Sequence, residues 1–157
     1  MIELMVVVAI VAIATAIMAP MYVNYTSKSR LKTVSEALYN DFRRARSEAL
    51  KTNSTVRVVF QSGSSWCYGL TTAGSCDCGV ASACNLGQSE SSDYSNTISD
   101  LALTGIVNSV AFEGDRGTAS PAGTVTFTSS VGSISVVVNT MGSPEVCSSD
   151  IGDYEAC

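Results

Sequence analysis

The sequence predicts an α+β chain in which one long N-terminal α-helix packs on a C-terminal antiparallel β-sheet domain. Three observations carry this. From residue 2 to about residue 52 there is one proline, Pro20, and no glycine, whereas glycine recurs from Gly63 onward. Beyond Asn53 the apolar residues fall into short alternating or β-branched runs separated by turn residues. The 157 residues, 46% of them hydrophobic, suffice for one globular core and one appended element, not for two full domains.

A helix of roughly 50 residues is about 75 Å long at 1.5 Å per residue, far more than a small domain needs. Its two halves differ. Residues 4–19 carry no charge and one polar side chain, Thr15, whereas the second half places Leu31, Val34, Leu38, Phe42, Ala45 and Ala49 at three- and four-residue steps with charges on the other face. The division expected is therefore an apolar protruding half over residues 1–27 and a globular domain over residues 28–157 that includes the amphipathic half-helix. Pro20 lacks a backbone N–H and disfavours helical geometry at Ala19, which predicts a bend or short unwound segment near residues 15–20.

The apolar half has the length that crosses a bilayer as a helix, about 17–20 residues. No basic residue precedes it, as a secretory signal would require. A plain anchor would obey the positive-inside rule and put Lys28, Arg30 and Lys32 in the cytoplasm, where the downstream cysteines could not easily oxidise. The conflict disappears if a basic leader preceded Met1 and was removed. Glu3 stands as the lone acid at the start of this apolar run.

The strand candidates are TVRVVF (55–60), SWCYGL (65–70), GIVNSVAF (105–112), GTVTFTS (123–129) and SISVVVN (133–139). The last two, with SVG between them, predict a hairpin. Residues 71–99, rich in Gly, Ser, Ala and Cys, read as a long loop that disulfides would have to order.

The six cysteines, Cys67, Cys76, Cys78, Cys84, Cys147 and Cys157, all lie outside the apolar run. An even count confined to the polar domain reads as disulfides formed outside a reducing cytosol. Six cysteines allow 15 connectivities; the expectation is Cys147 with Cys157 and a set tying Cys67, Cys76, Cys78 and Cys84 together. A thiolate zinc site competes, but the chain has no histidine and the spacing matches no common zinc module. No metal and no other cofactor is expected.

Charge is uneven. Residues 1–52 hold seven Lys/Arg against four acids, and the remainder holds Arg57 and Arg116 against ten acids. An acidic domain is a poor partner for nucleic acid, while the asymmetry suits attraction between neighbouring copies. Without histidine there is no His-based triad, and no phosphate-binding glycine loop is present. Glu113 and Asp115 read as solvated turn residues, Trp66 as a core aromatic, and RRAR (43–46) as a solvated helix face with Asp41 and Glu48 in reach for ion pairs. No catalytic residue is assigned, and the chain is not expected to be an enzyme.

The stretch IELMVVVAIVAI, with Glu3 near its start and Pro20 seventeen residues later, resembles the N-terminal helix of type IV pilins and type II secretion pseudopilins. Those begin, after leader cleavage, with Phe-Thr-Leu-Ile-Glu-Leu or a near variant, so two residues of that pattern would precede Met1. RLKTVSEALYNDFRRARSEALKTNSTVRVVF followed by WCYGL resembles the GspH/FimT-like branch, the H-type pseudopilins and their minor-pilin relatives. The resemblance implies a structural subunit of a type IV pilus or pilus-like filament, or alternatively a minor tip pilin or an H-type pseudopilin. Its partners would be further copies in a homo-oligomeric helical filament, or other pilins. It implies residence in a bacterial inner membrane with a periplasmic domain, then in an extracellular pilus or periplasmic pseudopilus. Glu3 would pair with the N-terminal amine of a neighbouring subunit, and Pro20 would bend or locally melt the helix. One branch takes up DNA through Gly-Arg-x-Arg near the C terminus; here Gly142 is followed by Ser143, Pro144 and Glu145, so nucleic-acid binding is not expected.

Overall fold

The computed structural model describes residues 2–94 and 97–157, with residues 17–20 described by their backbone alone. Helix α1 spans Ile2–Thr52. Its backbone stays helical through residues 15–20, so no unwound segment is present there. Proline's locked φ is itself a helical value, and the lost hydrogen bond is one among dozens along the helix. The helix ends where Asn53 takes a left-handed φ of 49° and the Ser54 amide donates back to the Ala49 carbonyl at 3.2 Å. Lys51 sits in the last turn, where a cation complements the helix dipole.

Among the described residues nine strands follow: β1 (Val56–Gln61), β2 (Cys67–Thr71), β3 (Gly87–Glu90), β4 (Ile98–Thr104), β5 (Ser109–Phe112), β6 (Ala119–Ser120), β7 (Gly123–Ser129), β8 (Gly132–Val138) and β9 (Pro144–Cys147). They form two sheets, ordered β3-β2-β1-β5-β6 and β4-β7-β8-β9, with antiparallel pairing throughout. The inward residues alternate as a half-buried strand requires: Val56, Val58 and Phe60 on β1, Val125 and Phe127 on β7, Ile134, Val136 and Val138 on β8. They close on the helix stripe of Leu31, Val34, Leu38, Phe42, Ala45 and Ala49, all fully buried. Phe42 lies 6.1 Å from Phe60 and 5.9 Å from Phe112 between ring centroids, so one helical side chain meets two strands of the first sheet.

Four strands fall outside the sequence expectation. β3 and a 3-10 turn, Ser91–Tyr94, lie within the segment expected to be loop. β4 carries a bulge between Ile98 and Asp100 that interrupts its alternation, and β9 starts on Pro144 at a sheet edge, where a missing donor is tolerated. β6 is two residues long. The β7–β8 hairpin is present, with Ser129 opposite Gly132 and only Ser130 and Val131 between them. Gly132 has φ 135°, a conformation that a side chain rarely adopts.

The disulfides pair Cys67 with Cys78, Cys76 with Cys84 and Cys147 with Cys157. The first two fold the 71–86 segment over β2, and Gly69 is what makes room: a Cβ there would collide with the Cys84 sulfur. Closing a loop of about ten residues stabilises by about 2–3 kcal/mol in the chain-entropy account. Replacing Cys76 and Cys84 together by serine is expected to lower unfolding free energy by that amount, read as a lower urea midpoint at unchanged slope.

Candidate functional site

The N-terminal half of α1 leaves the domain, and none of its described side chains over residues 2–25 is buried. Leu4 is 71%, Ile10 61% and Ile13 64% exposed, which no soluble core helix shows. An 18-residue window of this helix has mean hydropathy 2.6, long and apolar enough to cross a membrane, and none of it is buried within the chain. Thr15, the single polar residue of the run, is satisfied by its own helix, its hydroxyl donating to the Val11 carbonyl at 2.9 Å. The outer half can therefore enter an apolar environment without an orphaned side-chain donor. Tyr22 and Tyr25 follow the apolar run, 70% and 72% exposed; amphipathic rings of this kind favour a membrane interface.

Glu3 occupies the first turn of α1, where the helix dipole favours an acid, and its side chain is exposed. Among the described residues no basic side chain lies near it. The first basic residue after it is Lys28, twenty-five positions on, about 37 Å along the helix at 1.5 Å per residue. Buried in lipid or in a bundle, this carboxylate needs a charge from elsewhere.

Where the helix enters the domain, its face is clasped by the C-terminal tail. Lys32 Nζ donates to Asp153, and Lys28 Nζ lies 3.8 Å from the same carboxylate. The Tyr154 hydroxyl donates to Glu36 at 2.9 Å, and burial and then Glu36 push its pKa up to about 12. Across the helix Arg30 donates to the Thr97 hydroxyl at 2.8 Å. The tail is itself held by the Cys147–Cys157 bridge and by the Ser148 amide donating to the Glu155 carbonyl at 2.9 Å. The Lys32 hydrogen bond, then its charge and that of Lys28, hold the Asp153 carboxyl below its ordinary value of 3.8. A lowered folded pKa means that this clasp contributes fully above the ordinary value and is lost as pH falls through the lower one. Amide exchange over residues 151–155 is expected to quicken across that acid window, and Asp153→Asn to reduce the dependence to what Asp150, held low by its Ser133 hydrogen bonds, contributes.

Other residues singled out in the sequence take different places. Trp66 is fully buried, as expected of a core aromatic. Of the RRAR run, Arg43 and Arg44 are exposed, as a solvated face requires, whereas Arg46 is half-buried, and the ion pairs in reach with Asp41 and Glu48 are not formed among the described residues. Asp41 instead accepts from the Tyr68 hydroxyl at 3.1 Å, and Glu48 faces Lys51 at 3.7 Å. Burial raises the Asp41 carboxyl above its ordinary value, against the opposing effects of Tyr68 and Arg44, and burial and then Asp41 push the Tyr68 hydroxyl well above its own. Arg46 is half-buried beside Gly117 and Gly142. Glu113 accepts from Thr118 on an exposed turn, and Asp115 lies 3.7 Å from Arg116 at the surface. All six cysteines are in bridges. The tail clasp and the Asp41–Tyr68 pair were not read from the sequence, since nothing local signals a contact 121 or 27 residues away.

A family model described as Type II transport protein GspH matches residues 34–142, 109 of the 157 residues, beginning within the amphipathic half of α1. Among solved structures, the chain is similar to the type IV minor pilin FimU of Pseudomonas aeruginosa strain PAO1 in two crystal forms. In the first the TM-score is 0.54 at 18% identity, covering 78% of this chain and 91% of that one. In the second it is 0.51 at 17% identity, covering 74% and 91%. At these identities the likeness is one of fold. No curated protein matches the chain significantly by sequence.

Proposed function

The chain belongs to the GspH family of type II transport proteins, pilin-like structural subunits, and from that premise we propose that it is built into a pilus or pseudopilus by bundling of α1. Before assembly the apolar half rests in an inner membrane with the domain on the oxidising, periplasmic side, where its three disulfides persist. On extraction that half needs a new apolar environment, and a bundle of like helices supplies it. Burying its sixteen uncharged residues at about 1–2 kcal/mol each gives a gross gain of tens of kcal/mol. Glu3 acts as a register device, meeting the terminal amine of a neighbouring subunit in one alignment only. The observation that carries this reading is the unburied apolar window of α1.

The acidic domain speaks against a duplex-binding role. The family match favours a minor subunit of the H type as the second reading. Both are tested by fractionation and immunogold microscopy of cells making the full chain. Detergent-dependent extraction and labelled filaments are expected, along the whole filament for a major subunit and at an end or sparsely for a minor one. Recovery in the soluble fraction with no filament labelling would refute them.

A further inference from the structure

A pocket of about 520 Å³ opens between the far half of α1 and the turn that joins β8 to β9. Arg43, Arg46 and Ser47 line one wall, and Gly142, Ser143 and Pro144 the other. Arg43 is exposed, and its guanidinium carbon sits 5.8 Å from the centroid of the Tyr39 ring, which also lines the pocket. Arg46 is half-buried, with its stem against Gly142, and its Nε is enclosed without an acceptor among the described residues. That Nε is closed from solvent beside Gly117, outside the pocket lining; the pocket's own charge comes from two arginines with no acid among the residues that line it. The planar fork of an arginine matches a carboxylate through two parallel hydrogen bonds, and Ser47 adds a third polar group beside it.

We propose that this pocket receives a carboxylate side chain from the acidic domain of an adjoining copy of the chain. The charge distribution argues for a copy as the source: residues 53–157 carry ten acids and two arginines, whereas α1 carries seven of the nine basic residues. Attraction between the basic flank of one subunit and the acidic face of the next adds orientation to a bundle whose cohesion is apolar and non-directional. The occupant rests on the filament reading above; the carboxylate chemistry of the pocket does not.

The test has two arms. In the first, the full chain in detergent micelles is titrated with a capped Glu-Glu dipeptide, a capped Gln-Gln dipeptide, inorganic phosphate and duplex DNA, following the arginine side-chain NMR signals. The Glu peptide is expected to bind at least tenfold more tightly than the Gln peptide and to weaken at least tenfold in Arg46→Gln. Because Arg46 also packs against the fold, Arg43→Gln, at an exposed position, is the second variant, with a loss of threefold or more. Equal binding of the Gln peptide, tighter binding of phosphate or DNA, or unchanged binding in both variants would overturn the proposal. In the second arm, a photo-crosslinking residue at Ser47 is activated in filaments and the adduct mapped by mass spectrometry. An adduct on an Asp- or Glu-bearing segment of residues 53–157 of a second copy is expected; one on an acid-free segment or on another protein refutes the occupant. Peptide binding by a chain that never enters filaments would refute the filament reading and this occupant with it, while leaving the carboxylate pocket established.

Discussion

Glu3→Ala is expected to leave the chain folded and membrane-inserted while cutting its incorporation into filaments tenfold or more. The side chain touches nothing in its own domain, so folding has no stake in it. In an apolar surround a carboxylate costs about 2.5–3.5 kcal/mol at mid-bilayer by insertion scales, less toward the helix end, unless a cation meets it. Each 1.4 kcal/mol is a factor of ten, so a partner that neutralises the charge only in correct register discriminates strongly between alignments. Alanine removes both the cost and the discrimination: inserted chains no longer gain on finding the right neighbour. Quantified immunoblots of sheared filaments, normalised to membrane-held chain, measure this. Glu3→Gln is expected to behave like alanine and Glu3→Asp to retain part of the function; normal filament yield in Glu3→Ala would rule out the register role.

Trp66→Ala is expected to cost about 3–5 kcal/mol of stability, the range for emptying a buried aromatic site. Trp66 precedes β2 in the first sheet, yet its ring meets Phe127 of β7 in the second at 5.2 Å and 67°, an edge-to-face arrangement. Its indole N–H donates to the Ile98 carbonyl at the start of β4, at 3.3 Å. One side chain thus joins the two sheets by packing and by a hydrogen bond that Phe cannot make. Trp66→Phe is accordingly expected to lose about 1 kcal/mol for the hydrogen bond, plus a smaller packing loss. Urea titrations of the full chain in micelles, followed by far-UV circular dichroism, separate the two variants. A loss below about 1 kcal/mol for Trp66→Ala would mean that the sheets are held together elsewhere.

Trp66 also shows where local reasoning ends. Its burial was legible because an aromatic among alternating residues, flanked by Cys67 and Tyr68, has few other places to go. That its partners lie on a second sheet was not, because β4 hides its period behind a bulge and β9 begins with proline. Arg46 shows the same limit on the helix. Counting charges along α1 marks it as surface, whereas the turn at Gly142, ninety-six positions on, closes over it. At Pro20 local propensity argued for a bend or an unwound segment, and the backbone remains helical across it.

By itself the sequence determined the long helix, its division into an apolar and an amphipathic half, the placement of Glu3 at the apolar end and the confinement of all six cysteines to the β-rich domain. These are one-dimensional properties, period, run length and composition, and they follow from burial and backbone preference within a few residues. Only the tertiary structure decided the split into two sheets, the pairing Cys67–Cys78 and Cys76–Cys84, the clasp of Asp153 and Tyr154 on α1, and the arginine-lined pocket. Each of these joins groups far apart in the chain, and which distant groups meet depends on how the whole core packs.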